Sequence, residues 1–137
     1  MKYEVFEHVS DIGLRIYASS FKELLENAGL ALFDQMADLT NVDALDTMEV
    51  SAWGNTSEEL LIAWMRELLY LFHGEGYLLN EFVVTEASKG MVRGIAKGEK
   101  IDPERHLIHG EVKGVTYHGL EVTEVGGKWQ AKVILDV

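Results

Sequence analysis

The residues best equipped for chemistry sit near the two ends of the chain. Asp136 and Val137 close it, setting a side-chain carboxylate beside the terminal one. Calcium and magnesium are bound by clustered carboxylates, carbonyls and water, so this pair is the beginning of a hard-cation site. It is also the composition of a solvated acidic terminus, and the two residues leave both open. Asp11, in the polar turn His8-Val9-Ser10-Asp11, is by type an Asx-turn residue, and it becomes a further oxygen donor if that turn meets the chain end. Lys113 is one of 12 Lys and Arg against 23 Asp and Glu. It is either an ordinary solvent-facing lysine or a cation available to an anionic group.

Other combinations carry less. His106-Leu107-Ile108-His109 has a His-x-x-His spacing, but it spans a loop and a strand start and brings no third or fourth zinc ligand at comparable spacing. His8, Ser10 and Asp11 have the residue types of a triad, yet one short turn cannot align a relay, and no oxyanion-hole motif accompanies them. No GxGxxG opens a helix and no P-loop occurs. The residue types thus define a candidate metal corner and no reaction.

The elements that must position these groups follow from periodicity. Residues 129–137 alternate Trp129, Ala131, Val133 and Leu135 with Gln130, Lys132, Ile134 and Asp136, the period of two of a strand with one face in the core. Residues 3–8 and 12–18 alternate likewise and predict a hairpin or two neighbouring strands. Ser20-Phe21-Lys22-Glu23 is a capping box, followed by Phe21, Leu24, Leu25, Ala28, Leu32 and Met36 at helical spacing, which predicts a helix ending near Ala37. After a strand over 48–53, Thr56-Ser57-Glu58-Glu59 caps a second helix. Its residues 60–72 are apolar nearly all round, which predicts burial on every side, with Gly74 as a left-handed C-cap. From there the pattern is β: 78–86, 90–96, 108–117, 120–125 and the last strand, with turns marked at Gly98 to His106, at His118-Gly119 and at Gly126-Gly127. The fold expected is α+β, two helices packed on a largely antiparallel sheet, in a single domain over 1–137.

Composition narrows the function classes. At 137 residues and 47% hydrophobic, the chain suits one domain with a substantial core. The formal charge of −11 opposes non-specific binding to nucleic acid or an anionic membrane and favours a cation or a basic partner. Without cysteine there is neither a disulfide framework nor a thiolate metal site. No apolar run approaches the ~18 residues of a membrane span and no signal-type segment opens the chain, so the expectation is a cytoplasmic protein.

Several stretches, taken together, carry a resemblance. They are His8-Val9-Ser10-Asp11-Ile12-Gly13-Leu14, the helix from Leu24 to Phe33, Asp102-Pro103-Glu104-Arg105-His106, Val112-Lys113-Gly114-Val115-Thr116-Tyr117-His118 and Ala131 to Val137. In order and spacing they resemble the archease family from end to end. The first turn departs mildly from the family's frequent His-Thr-Ala-Asp while keeping His8 and Asp11, and Gly114 stands where Ala is common. Archeases are small accessory proteins of the RtcB-type RNA ligase that joins tRNA halves. The resemblance therefore implies an activator, not an enzyme, that promotes guanylylation of that ligase and its repeated turnover, reaching RNA only through the ligase. It implies a divalent cation, calcium with magnesium or manganese as alternatives, held by Asp11, Asp136 and Val137. Lys113, with His8, would serve function and not fold. The rival from another class is a stand-alone metal-dependent hydrolase using the same carboxylates, which would turn over without a partner protein. A direct RNA-binding module would need a basic patch that the sequence does not offer.

Overall fold

The computed structural model describes residues 1–8 and 10–137, without the His8 side chain. Its strands are β1 (Tyr3–His8), β2 (Asp11–Ala18), β3 (Asp46–Trp53), β4 (Tyr77–Ser88), β5 (Met91–Lys100), β6 (Gly114–Val125) and β7 (Lys128–Asp136), with helices α1 (Phe21–Asp34) and α2 (Ser57–His73). The α+β expectation holds, and the strands divide between two antiparallel sheets, ordered β1-β2-β7-β6 and β3-β5-β4. Each helix touches both: α1 packs on β2 and β4, and α2 on β6 and β3. The core therefore lies along the helices, where both sheets contribute to it.

Both helix starts form as the capping boxes predict. Ser20 accepts from the Glu23 amide at 3.1 Å and Thr56 from the Glu59 amide at 3.1 Å. The reciprocal limb reaches one residue further back than in the standard box, with Glu23 accepting from the Ser19 amide and Glu59 from the Asn55 amide, so each carboxylate stabilises the approach to its helix. Burial along α1 follows its apolar stripe, and the helix ends at Asp34, three residues earlier than its periodicity suggests, in a tight turn through Met36 and Ala37.

On α2 the sequence expectation needs correction. Leu60, Leu61, Ile62, Trp64, Met65, Leu68 and Leu69 are buried, but Arg66, Glu67 and Tyr70 form an exposed ridge. Trp64, completely buried, donates its indole N–H to the Leu25 carbonyl of α1 at 2.9 Å, so the largest core side chain leaves no polar atom unpaired. Gly74 is not left-handed: it keeps φ −88, and Gly76 takes φ +74 instead. Glycine has no Cβ penalty in that region, and the reversal into β4 is made there, two residues later.

The C-terminal half differs from its pattern in two places. Residues 108–113 form no strand apart from a single bridge between Ala37 and Ile108, so Lys113 precedes β6 and does not lie on it. His118-Gly119 does not reverse the chain. It lies in a bulge within one long β6, where Thr116 pairs Ile134 and Glu121 pairs Lys132, so that four residues of β6 face Val133 alone. The final hairpin forms as expected, with Gly126 and Gly127 both at positive φ in a two-residue turn.

Candidate functional site

The first sheet brings the sequence-predicted residues to one end. Asp11 opens β2 and Asp136 ends β7, and they are direct register partners, with His8 opposite Asp11 on β1 and Gly114 opposite Asp136 on β6. Lys113, immediately before β6, donates its amide to the Asp136 carbonyl at 2.7 Å. Residues from three separate parts of the chain thus occupy one corner. Val137 follows Asp136 there and is partly exposed. The side chain of His8 lies outside the described residues, as does Val9.

Register explains which way the corner faces. Leu14, Ile16, Ala131, Val133 and Leu135 point into the core, so the alternate positions Asp11, Gly13 and Asp136 share the opposite face. On that face Phe6 lies over Gly13: a Cβ there would fall 2.1 Å from the ring. Arg15 in turn stacks over Phe6 at 4.3 Å. Ile134, in the same register row as Phe6 and Gly13, is thereby buried although its face points away from the helices. Asp11 is half-buried at the rim of this covered row, while Asp136 and Lys113 are exposed.

The chemistry of the donor set suits a hard cation. Two carboxylates stand directly opposite on paired strands, an arrangement that repels without a counter-charge, and both supply oxygen only. Among the described residues no three His, Cys, Asp or Glu side chains are grouped to hold a metal. A cation here would use the two carboxylates together with main-chain oxygens, Val137 included. That arrangement fits calcium or magnesium and not zinc.

A second charged cluster, which the sequence did not signal, lies under residues 101–113. Glu99, at the end of β5, is only 6% exposed, as is His106. One carboxylate oxygen of Glu99 accepts from Arg105, and the other accepts from the Asp43 amide at 2.5 Å and lies 3.2 Å from His106 Nε2. His106 Nδ1 accepts from the Asp102 amide at 2.8 Å, so the neutral ring carries its proton on Nε2 and donates it to Glu99. Arg105 also donates to the Asn41 carbonyl at 3.1 Å. The Arg105 bond, followed by the Asp43 amide, holds the Glu99 carboxyl down to about 2. His106, the first member of the His-x-x-His pair, is thus a buried structural histidine, while His109 is exposed and bonds through its amide to Met36.

Comparison with known proteins is consistent along the whole chain. Residues 3–137 match the Archease protein family (MTH1598/TM1083). The chain is similar to the archease of Methanopyrus kandleri, at 39% identity over 140 residues and 100% coverage of each chain. It is also similar to that of Pyrococcus furiosus, at 35% over 140 residues and 99% coverage of each. Its fold superposes on the solution structure of protein 1598 of Methanobacterium thermoautotrophicum with a TM-score of 0.85, at 34% identity and 99% coverage of each chain. A likeness of fold alone extends to a Thermotoga maritima archease described as a possible chaperone, with a TM-score of 0.66 and 21% identity over 98% of this chain and 96% of the other. The residues quoted for the resemblance and the match over 3–137 agree: the chain belongs to the archease family.

Proposed function

We propose that this protein is an accessory factor, not itself an enzyme, that activates an RtcB-type RNA ligase of tRNA splicing by promoting its guanylylation and multiple turnover. The observation that supports this most is the register that places Asp11 opposite Asp136 with the Lys113 amide bonded to Asp136. A corner that combines paired carboxylates with an adjacent lysine suits a surface that meets a phosphate-bearing active site.

Within that corner Asp11 and Asp136, with the main-chain oxygens of Val137, would hold calcium, or magnesium or manganese. When bound, such an ion supplies positive charge that neutralises the carboxylates and attracts phosphate oxygens. Lys113 adds a second, protein-borne positive charge, and its exposure leaves it accessible to the partner. RNA is contacted through the ligase, in keeping with the charge of −11. No helix is long and apolar enough to cross a membrane among the described residues.

The test is RNA joining by an RtcB-type ligase with substrate in excess, with and without this protein. The expected outcome is product well beyond one equivalent of ligase only when the protein is present. Equal turnover in both reactions would refute the proposal, and hydrolysis of phosphate esters by the isolated protein would favour the hydrolase instead.

A further inference from the structure

Lys113 sits on a piece of chain that ought to be poorly held. Residues 101–113 contain no strand, and the ladder between β6 and β7 lasts only from Gly114 to Thr116 before the bulge interrupts it. At Gly114 an added Cβ would meet nothing within 4 Å, so little packing fixes the main chain there. β6 is also the edge of its sheet, and an edge strand turns half of its carbonyls and amides away from any ladder partner.

Two side chains of α2 occupy that edge. Arg66 directs Nε and Nη2 together at the Val115 carbonyl, at 3.1 and 2.9 Å, and its guanidinium lies over the Tyr117 ring at 4.9 Å. Seven residues on, two turns along the same helix, His73 Nε2 donates to the Val112 carbonyl at 2.7 Å. The held carbonyls flank Lys113 and Gly114 on either side. From the other side the Asp136 carbonyl accepts the Lys113 amide. Arg66 and Glu67 break the otherwise apolar run of α2, and the Arg66 charge meets main chain, since none of the ion pairs formed by described residues includes it.

We propose that Arg66 and His73 are positioning residues, which take the place of a next strand along β6 and fix the main chain on both sides of Lys113 against the Asp11–Asp136 corner. Neither touches the corner. Their effect passes through the carbonyls of Val115 and Val112, and a planar fork or an imidazole N–H held by a helix does this more rigidly than water. The functional part of the inference rests on the role given to Lys113 above.

The experiment compares His73→Leu, Arg66→Met and the double variant with the conservative His73→Gln and Arg66→Lys, which retain a donor. Amide hydrogen exchange is read at Lys113 and residues 114–116, with α1 amides as reference, and ligase stimulation is measured alongside. Exchange at Lys113 is expected to rise about tenfold or more in His73→Leu and Arg66→Met while α1 is unchanged. The conservative variants are expected to recover most of the protection, and stimulation is expected to follow Lys113 protection. Unchanged exchange at Lys113, or a rise in step with α1, overturns the inference. So does full stimulation in variants whose Lys113 has lost protection, provided that Lys113→Ala abolishes it. If Lys113→Ala is itself silent, the role given to Lys113 is what fails, and the exchange data still decide whether α2 holds this stretch. Should one of the Leu and Met variants not fold, the other decides through the same ratio of Lys113 to α1 exchange.

Discussion

Two charged clusters stand on the same molecule with opposite organisation. Around Glu99 the carboxylate is buried, and Arg105, His106 and the Asp43 amide all bond to it. The cluster joins the end of β5 to the turn at 102–106 and to residues 41–43. At the sheet corner two carboxylates of like sign are set opposite each other at strand ends, at or near the surface. The first arrangement spends its charge inside the protein, whereas the second sets like charges across from each other near the surface. Buried charge is tolerable only when partnered, so the Glu99 cluster belongs to the fold. A like-charge pair opposed across two strands opposes the fold slightly, and the cation proposed for the corner would offset that repulsion.

This contrast is broken most directly at the corner. Asp11→Ala or Asp136→Ala is expected to reduce ligase stimulation about tenfold or more, on the scale seen when cation sites lose supporting groups. Stability should stay within about 0.5 kcal/mol of the parent, or improve. Turnover and melting temperature, measured on the same preparations, check this. Unfolding of either variant, or full stimulation by both, would contradict the division of roles.

The converse substitution is Glu99→Ala. It removes the acceptor for Arg105, His106 and the Asp43 amide together, and the melting temperature is expected to fall by about 5 °C or more. Calcium affinity of the folded fraction should remain unchanged. A variant that melts like the parent would place the three bonds among those that water replaces without cost.

The difference in legibility between the two clusters has a physical basis. Caps, the α1 stripe and the Gly126-Gly127 hairpin depend on neighbours in sequence, and they form as Ser20, Thr56 and the two glycines dictate. Asp11 and Asp136 could be suspected as oxygen donors from type alone. Their meeting depends on a pairing of β2 with β7 across the length of the chain, which local periodicity does not encode and which the family resemblance supplied. Glu99 has no signal at all: it occupies one position of a charged stretch, and only the return of residues 102–106 over β5 buries it. Arg66 was lost within an apolar run for the same reason, because its partner is a carbonyl 49 residues away. His118-Gly119 has turn chemistry, but β7 continues to pair on both sides of it, and tertiary pairing converts the turn into a bulge.

Acid provides a milder way to separate the clusters. Glu99 is held at about 2 in the folded protein against an ordinary 4.5. The unfolded chain therefore binds that proton first as pH falls. The stability contributed by Glu99 is fully present above about pH 4.5 and is lost progressively toward pH 2. Melting temperatures measured across that window should decline, and Glu99→Gln should flatten the decline while lying below the parent at pH 7. An equally steep decline in Glu99→Gln would assign the acid sensitivity to other carboxylates.

The smallest effect expected is on cation affinity at Lys113, and it bears on whether the corner is one site or two functions side by side. Lys113 is exposed, and its link to the corner is a main-chain bond, which Lys113→Ala preserves. The substitution removes one positive charge near a proposed cation site. In screened water that repulsion amounts to roughly 1 kcal/mol or less, so calcium affinity should stay level or rise by no more than about fivefold. Ligase stimulation should nevertheless drop, because the accessible charge that would meet the partner is gone. Calorimetric titration of calcium into parent and variant, beside turnover measurements, distinguishes the cases. Loss of calcium affinity in Lys113→Ala would make the lysine a support of the metal corner. Unchanged affinity with lost stimulation would divide the corner into carboxylates that hold the ion and a lysine that acts beyond it.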